Sequence, residues 1–344
     1  MEPVPGTPIV LNSNRCLSTT TQKYRGSHST SMSQHNPPIL YVGLDIAKLS
    51  LVLDLAGQSH ALDNHARGHA QLLKLLRPHP QAHVICEATG GYEQPVVRCL
   101  QAAGVAVSVV EAGRVRHFAR AQGQRAKTDP IDATVLSAYG RACQPLASTA
   151  PSAQQQQLAD LTQRRRQLVQ LLAQERNHLE HYTDGFRRRQ TRQLGRLLDK
   201  QIDECEQAIA ALIDQDPLLR HKAHRLQAIP GVGPVVASTL LAEMPELGQL
   251  TPQTAAALAG VAPYNQDSGP KQGFRAIGGG RRTVRCALYM ATLSAVRHDR
   301  ILKEFYRRLI AAGKKPKVAL TACMRKLVIL MNRLLKNNQF QLAS

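Results

Sequence analysis

Two short apolar segments of this chain each carry one acidic residue, and they constrain its fold more than any other feature. Asp45 interrupts the run of residues 39–47, and Glu87 ends the run of residues 83–87. Runs of this length and composition predict buried β-strands. A carboxylate on a buried strand costs several kcal/mol unless it is paired or binds a metal ion. We therefore expect Asp45 and Glu87 to belong to a site rather than to a hydrophobic core.

Short apolar runs alternate with helical patterns between residues 39 and about 143. The strands are predicted at residues 39–47, 49–56, 60–64, 83–89 and 105–111, and the helices at residues 66–77, 91–103 and 129–142. Three strands joined by short turns, followed by alternating helices and strands, are typical of a mixed α/β sheet covered by helices. In such a sheet, we expect the strands that carry Asp45 and Glu87 to be neighbours.

A second acidic pair, Asp129 and Asp132, lies at the start of the predicted helix 129–142. Residues three apart in the first helical turn lie on the same side of the helix. The pattern Asp-Pro-x-Asp is also typical of a capped helix N-terminus, with Pro130 at the first helical position. Taken with the two strand acids, the pair indicates a site for divalent metal ions, which bind several carboxylates drawn from different segments.

The balance of charge points to a polyanionic partner. The 344 residues include 44 Lys or Arg against 24 Asp or Glu, for a formal net charge of +20. Such a charge also promotes solubility or attraction to membrane surfaces, but we expect nucleic acid first. No apolar stretch is long enough to cross a membrane and the N-terminus lacks a signal-peptide core, which favours a cytoplasmic protein. The seven scattered cysteines include no CxxC pair and support neither a zinc cluster nor a disulfide framework.

Four segments of different character follow one another along the chain. Residues 1–38 are rich in Ser, Thr, Asn, Gln and Pro and are predicted to be a disordered leader. Residues 39–147 form the predicted α/β domain. Residues 152–226 carry apolar side chains at steps of three and four, which predicts two long helices paired as an antiparallel hairpin or coiled coil. Residues 227–338 are the predicted, mainly helical C-terminal domain.

The C-terminal domain contains two glycine-rich stretches next to helical patterns. Residues 229–234 resemble a helix-hairpin-helix element whose amides bind phosphate, although a tight turn between packed helices gives the same pattern. Residues 278–285 predict a phosphate clamp or, alternatively, a solvated basic loop. Between Lys271 and Lys336 the chain has 17 Lys or Arg against two acidic residues, so we expect nucleic acid to contact mainly this last third. The candidate contact residues are Gly231, Gly233, Lys271, Arg275, Arg281, Arg282 and Arg285.

Several motifs resemble those of the DEDD transposases of bacterial insertion sequences, the IS110 group, which is related to Piv-type DNA invertases. The N-terminal motifs are GLDIAK at residues 43–48, EATGGYE at residues 87–93 and KTDPIDA at residues 127–133. The C-terminal motifs are IPGVG at residues 229–233, LAGVAP at residues 258–263 and DSG at residues 267–269. The resemblance extends from about residue 39 to residue 335, with the motifs in the family's order.

The resemblance implies a RuvC-like, RNase-H-type fold for the N-terminal domain, with Mg²⁺ bound by Asp45, Glu87, Asp129 and Asp132. It also implies that Ser268 attacks a DNA phosphate and forms a covalent phosphoserine link. The implied guide is a bridge RNA that pairs with donor and target DNA. Because exchange between two duplexes requires several active sites, we expect a dimer that assembles into a tetramer, with the long helical pair as oligomerisation element. The implied activity is transposition by DNA strand cleavage and rejoining.

The residues alone leave two other activities open. In a structure-selective endonuclease of the Holliday-junction resolvase type, the four carboxylates would activate water and Ser268 would be a solvated turn residue. In a non-enzymatic helix-hairpin-helix protein that binds nucleic acid, the acidic residues would be structural. Replacement of Ser268 separates the recombinase from the nuclease, and replacement of Asp45 or Glu87 separates the recombinase from the non-enzymatic protein.

Overall fold

A computed structural model of the protein describes residues 38–124, 126, 128–265, 267, 269, 273 and 275–340. The predicted leader of residues 1–38 therefore lies outside the described residues, apart from Pro38. The chain divides into two compact units, which we call the N-terminal unit (residues 1–148) and the C-terminal unit (residues 149–344). Among the described residues, no helix has the length and apolar character needed to cross a lipid bilayer.

The described part of the N-terminal unit contains a five-stranded mixed sheet. Its strands β1 to β5 are Leu40–Ile46, Ser50–Leu55, Gln58–Asp63, Ala82–Glu87 and Ala106–Val110. The strand order is β3-β2-β1-β4-β5; β1 and β3 are antiparallel to β2, and β1, β4 and β5 are parallel. The mixed α/β sheet predicted from the sequence is therefore confirmed.

Helices cover both faces of this sheet. Within the described residues of the unit, helices α1 to α4 are Ala66–Leu76, Gln94–Ala102, Ala112–Ala121 and Asp129–Cys143. Leu72 of α1 and Leu100 of α2 share a buried cluster with Val42 of β1. Leu136 of α4 packs with Tyr41, the neighbour of Val42, and since adjacent side chains of a strand point to opposite faces, α4 covers the other face. Helix α3 was not predicted from the sequence.

The described part of the C-terminal unit begins with two long helices. These helices, α5 and α6, are Ala153–His181 and Gly185–Gln215. Ion pairs join guanidinium nitrogens of Arg165 and Arg176 to carboxylate oxygens of Glu206 and Asp199, at 2.6 and 3.2 Å respectively. Arg165 precedes Arg176 in α5, whereas the partner of Arg165 follows the partner of Arg176 in α6. The two helices therefore run antiparallel. Their shared core consists of Leu168, Leu172, Leu198 and Ile202.

The rest of the described C-terminal unit is also mainly helical, as expected. Helices α7 to α12 are Pro217–Gln227, Pro234–Glu243, Pro252–Leu258, Arg282–His298, Arg300–Ala311 and Pro316–Lys336. Helices α7, α8, α9 and α12 begin with proline, which suits a position where the backbone N–H has no helical partner. A short ribbon joins β6 (Pro263–Tyr264) to β7 (Ala276–Ile277). Leu226, Leu240, Leu288 and Leu327 belong to the common core.

Candidate active site

Asp45 and Glu87 lie side by side on the adjacent parallel strands β1 and β4. The register pairs Leu44 with Cys86, so that each acidic residue follows one position later. Because side chains alternate along a strand, Glu87 points to the same face as Ile85, which is the face covered by α3 and α4. Both carboxylates are half-buried. The expectation that their strands are neighbours is met by this register.

Helix α4 approaches strand β1 at Gly43 more closely than any side chain would permit. A Cβ atom on Gly43 would lie 1.9 Å from the carbonyl oxygen of Ala133 and 2.7 Å from the backbone nitrogen of Ser137. The Gly43 amide donates a hydrogen bond of 2.7 Å to the Ser137 hydroxyl, which donates in turn to the carbonyl oxygen of Asp54 at 3.3 Å. These contacts hold the N-terminal half of α4 against the strand that carries Asp45.

Asp129 and Asp132 both lie in the first turn of α4. The N-cap residue is Thr128 rather than Asp129, and the Thr128 side chain makes no capping hydrogen bond. Asp129 is therefore the first residue of the helix and not its N-cap, which corrects that part of the alternative interpretation. Asp129 is exposed and Asp132 is half-buried.

All four acidic residues predicted from the sequence line one cleft of the N-terminal unit. The cleft has a volume of about 850 Å³ and is lined by Asp45 of β1, Glu87 of β4, and Asp129 and Asp132 of α4. Three separate chain segments therefore bring their carboxylates to a common space. Part of the wall comes from α3 through Val115, Arg116, Ala119 and Arg120.

Carboxylate oxygens are preferred ligands of hard divalent cations, so the chemistry of these four side chains fits such an ion. Within the described ranges, however, no three His, Cys, Asp or Glu side chains are arranged to hold one metal ion. The carboxylates share a cleft without forming a complete coordination sphere.

The loop that follows Glu87 is organised by Glu93, which was not among the predicted site residues. The Glu93 carboxylate accepts hydrogen bonds from the backbone amides of Thr89 and Gly91, at 3.0 and 2.8 Å, and from the Thr89 hydroxyl at 2.9 Å. Burial disfavours the charged form, but these hydrogen bonds outweigh it and keep the pKa of Glu93 below its ordinary value. Thr89 itself lines the cleft. Glu93 is the last residue of the EATGGYE motif, so this motif was the sequence signal for its part in the site.

The candidate nucleophile Ser268 and the candidate contact residue Lys271 lie outside the described residues. The described residues beside them form a local polar network. Asp267 accepts a hydrogen bond of 3.0 Å from the Gly273 amide, and its carboxylate lies 3.7 Å from a guanidinium nitrogen of Arg275. Arg275, a predicted nucleic-acid contact, is thus held next to the residue that precedes Ser268.

The base of this loop is closed by direct contact between two glycines. A Cβ atom on Gly280 would lie 2.3 Å from the backbone nitrogen of Gly260, and both residues have φ of 67°. Arg285 donates a hydrogen bond of 2.7 Å to the carbonyl oxygen of Gly279. Gly280 therefore serves chain packing at the base of the ribbon, whereas a Cβ atom on Gly279 would meet open space.

The three arginines predicted to form a phosphate clamp differ in what they contact. Arg281 is ion-paired with Glu246, and Arg285 is hydrogen-bonded to the glycine loop. Arg282 is exposed, and it makes neither a hydrogen bond nor an ion pair with any residue that the structure describes. Of the three, Arg282 has the side chain most available to an external phosphate.

Gly231 and Gly233 also have different surroundings. A Cβ atom on Gly231 would lie 2.7 Å from the carbonyl oxygen of Ala291 and 2.7 Å from the backbone nitrogen of Ala295, both in α10. Gly231 has φ of 89°, so it serves the tight turn between packed helices. Gly233 is exposed as the N-cap of α8, with open space where a side chain would be.

Comparison with known families matches two parts of the chain. A family model of IS110-type DEDD enzymes, described as "Transposase", matches residues 42–186. A second model, described as "Transposase IS116/IS110/IS902 family", matches residues 223–307. The first includes the four acidic residues of the cleft, and the second includes the ribbon and the position of Ser268.

Two similar proteins cover nearly the whole chain. The pilin gene-inverting protein of Moraxella bovis is 28% identical over 322 residues, covering 87% of this chain and 96% of that protein. The pilin gene-inverting protein of Moraxella lacunata is 27% identical over 322 residues, with the same coverage. Family matches and relatives together account for both units. The chain belongs to the IS110-type DEDD transposases, is related to DNA invertases, and is a DNA recombinase of the transposase class.

Proposed function

We propose that this transposase moves an insertion sequence by cutting and rejoining DNA strands at the acidic cleft. In this proposal Asp45, Glu87, Asp129 and Asp132 hold Mg²⁺, and Ser268 forms a transient phosphoserine link with DNA. The observation that carries the proposal is that these four carboxylates, from three chain segments, line one cleft. Convergence of acidic residues from separate segments is the arrangement that metal-assisted phosphoryl transfer requires.

We further propose that the N-terminal unit is a RuvC-like domain of the RNase-H type. Three antiparallel strands followed by two parallel ones, with the order β3-β2-β1-β4-β5, support this assignment. So does the position of the acidic residues on the two central parallel strands and on a helix packed against them. The rigid sheet would hold Asp45 and Glu87 in place while the start of α4 supplies the other two carboxylates.

Mg²⁺ bound to these residues would supply Lewis acidity toward a phosphate oxygen and compensate developing negative charge. The protein's own part is to place the carboxylates. Close packing of Gly43 on Ala133 sets the distance between β1 and α4. The hydrogen bonds of Glu93 fix the loop that leaves β4 directly after Glu87.

In the proposed covalent step, the hydroxyl oxygen of Ser268 forms a bond to phosphorus. The bond between phosphorus and one deoxyribose oxygen breaks, and that oxygen takes up a proton as the serine hydroxyl loses one. A diester is exchanged for a diester, so attack by another deoxyribose hydroxyl reverses the exchange and rejoins the strand without a further energy source. A serine hydroxyl is a weak nucleophile at neutral pH, and the electrostatics of the cleft would assist it.

We also propose that a bridge RNA guides the reaction and that the protein works as a dimer that assembles into a tetramer. The 17 Lys or Arg against two acidic residues between Lys271 and Lys336 support contacts with a nucleic-acid backbone. A chain with 4% aromatic residues and no Trp is poorly suited to recognition by base stacking. The exposed apolar side chains Leu171, Leu194 and Leu197 on α5 and α6 support a role for these helices in oligomerisation.

The proposal is tested by incubating the purified full-length protein with supercoiled donor and target DNA, the element's RNA and Mg²⁺. Strand transfer is measured by amplification of the recombined junction, and covalent protein–DNA species by a shift that survives denaturing detergent. Ser268→Ala is expected to abolish the covalent species and strand transfer. Asp45→Asn is expected to abolish cleavage.

Matched controls are Ser59→Ala and Asp63→Asn, which change an exposed serine and an exposed aspartate outside the cleft. Both are expected to retain activity. Cleavage without any covalent species in the wild-type protein, and full cleavage by Ser268→Ala, would favour a nuclease that uses metal-activated water. Full activity of Asp45→Asn would refute the acidic cleft as the reaction site.

A further inference from the structure

Helix α3 places a cationic surface on the wall of the acidic cleft. Five of the eleven basic residues between residues 39 and 143 fall between Arg114 and Lys127, and that stretch contains no acidic residue. Arg116 and Arg120 both line the cleft, together with Ala119. Residues three and four apart share one face of a helix, so this face of α3 is directed toward the cleft. Among the residues that the structure describes, the positively charged part of the cleft wall therefore comes from α3.

The orientation of α3 is fixed by its apolar residues. Val115 is 3% exposed and belongs to a buried cluster with Ile85 and Leu136. The ring of Phe118 packs edge-on against Tyr139, with 5.5 Å between the ring centroids. Because these contacts tie α3 to the sheet and to α4, the arginine side chains leave the helix at defined places on the rim of the cleft.

Both cleft arginines are available to an external anion. Arg116 and Arg120 are exposed, and within the described residues neither side chain makes an ion pair or a hydrogen bond. Arg114, on the same helix, pairs with Glu111 at 3.9 Å and does not line the cleft. A guanidinium group binds two oxygens of a phosphate at once, which makes phosphate its preferred ligand class.

We infer that Arg116 and Arg120 bind phosphates of the DNA strand beside the phosphate that the carboxylates receive. They are positioning residues: they offset the repulsion between the acidic cleft and a polyanion, and they fix the position of the strand. The inference rests on the proposed function for the identity of the strand. It also assigns part of the DNA-binding surface to the N-terminal unit, in addition to the basic last third of the chain.

The test measures binding of a fluorescently labelled single-stranded oligodeoxynucleotide to the full-length protein over a range of salt concentrations. The double variant Arg116→Gln/Arg120→Gln is expected to bind on the order of ten- to a hundred-fold more weakly at low salt. In a plot of its log affinity against log salt concentration, the magnitude of the slope is expected to fall by about 1.4. This corresponds to the loss of two phosphate contacts on a single strand. Arg116→Lys/Arg120→Lys is expected to recover most of this slope because it retains both charges.

The matched control is Arg114→Gln, which removes one positive charge from the same helix outside the cleft. It is expected to bind DNA with the wild-type salt slope. An unchanged slope in the Gln double variant overturns the inference, as does an equal loss in the Lys double variant, which would indicate a structural role. A loss confined to an RNA strand of the same sequence also overturns it, because α3 would then contact the guide.

Failure of this inference is distinguishable from failure of the proposed function. Asp45→Asn is expected to bind DNA at least as tightly as the wild-type protein while losing cleavage. If Asp45→Asn cleaves normally, the proposed function fails, whereas the contribution of Arg116 and Arg120 to binding is still measured. If the Gln double variant binds with the wild-type slope and Asp45→Asn fails to cleave, this inference alone fails.

Discussion

The guanidinium group of Arg281 and the carboxylate of Glu246 form a two-point ion pair, with nitrogen–oxygen distances of 2.8 and 2.7 Å. The hydrogen bond between them is the main reason that the pKa of Glu246 lies below, and that of Arg281 above, the ordinary values. Arg281 also donates to the carbonyl oxygen of Glu243 at 2.8 Å. Its neighbour Arg282 is exposed. Two arginines adjacent in sequence therefore differ in their contacts.

Replacement of these neighbours is predicted to separate stability from nucleic-acid binding. Arg281→Gln is expected to lower the free energy of unfolding by about 1–2 kcal/mol, because the broken pair is only partly buried. Arg282→Gln is expected to change it by less than about 0.5 kcal/mol and to weaken DNA binding instead. Urea unfolding and fluorescence anisotropy measure the two effects. Equal losses of stability in both variants would contradict this division.

Gly43→Ala is predicted to displace α4 from the sheet. The new methyl group would lie 1.9 Å from the backbone oxygen of Ala133, and backbone cannot move aside as a flexible side chain can. We expect a loss of about 3 kcal/mol in stability and loss of strand cleavage, because Asp129 and Asp132 move with the helix. Thermal unfolding and the cleavage assay measure both. The control Gly113→Ala, where the nearest contact is 3.6 Å, is expected to be neutral or slightly stabilising.

The sheet and the position of the carboxylates could be predicted because the signals are local. Both strands are short apolar runs, and the runs themselves place Asp45 near the end of one strand and Glu87 at the end of the other. The pattern at Asp129 and Pro130 marks a helix start whatever the tertiary structure. Even Gly43 carried a readable signal, since glycine inside a strand often marks close approach of another backbone.

Helix α3 could not be predicted as readily, because only two of its side chains, Val115 and Phe118, are large and apolar. Val115 is its one fully buried residue, and Phe118 is only partly buried. The basic residues around them resemble a solvated loop when the sequence is considered alone. The partner of Arg281 was equally hidden, since Glu246 lies 35 residues earlier and only the fold brings the two together. Long-range polar contacts of this kind are not encoded in local patterns.

The hydrogen bonds accepted by Glu93 predict a defined dependence of stability on pH. Its pKa is lower in the folded than in the unfolded protein, so its contribution to stability is complete above the ordinary value of 4.5 and is lost as pH falls through the lower, folded value. Glu93→Gln is expected to cost on the order of 1 kcal/mol at pH 6, since charge-assisted hydrogen bonds are replaced by neutral ones. The difference from the wild-type protein is expected to shrink below pH 4.5. Urea midpoints at pH 6 and pH 3.5 measure it, and a constant difference would contradict the assignment.

Metal binding in the cleft predicts that a divalent cation stabilises the folded protein through a particular carboxylate. An ion that binds only the folded state at ten times its dissociation constant adds about 1.4 kcal/mol. For a dissociation constant of about 1 mM, about 10 mM Mg²⁺ is expected to raise the free energy of unfolding of the wild-type protein by this amount. The comparison is with NaCl of equal ionic strength. Asp129→Asn is expected to remove most of the gain, because it deletes one anionic ligand from an exposed position on the cleft. Asp63→Asn lies outside the cleft and is expected to retain the gain.

Unfolding curves recorded with and without Mg²⁺ measure this gain. The same gain in Asp129→Asn as in the wild-type protein would place any bound ion elsewhere. No gain in the wild-type protein would contradict binding of Mg²⁺ by the carboxylates in the absence of DNA.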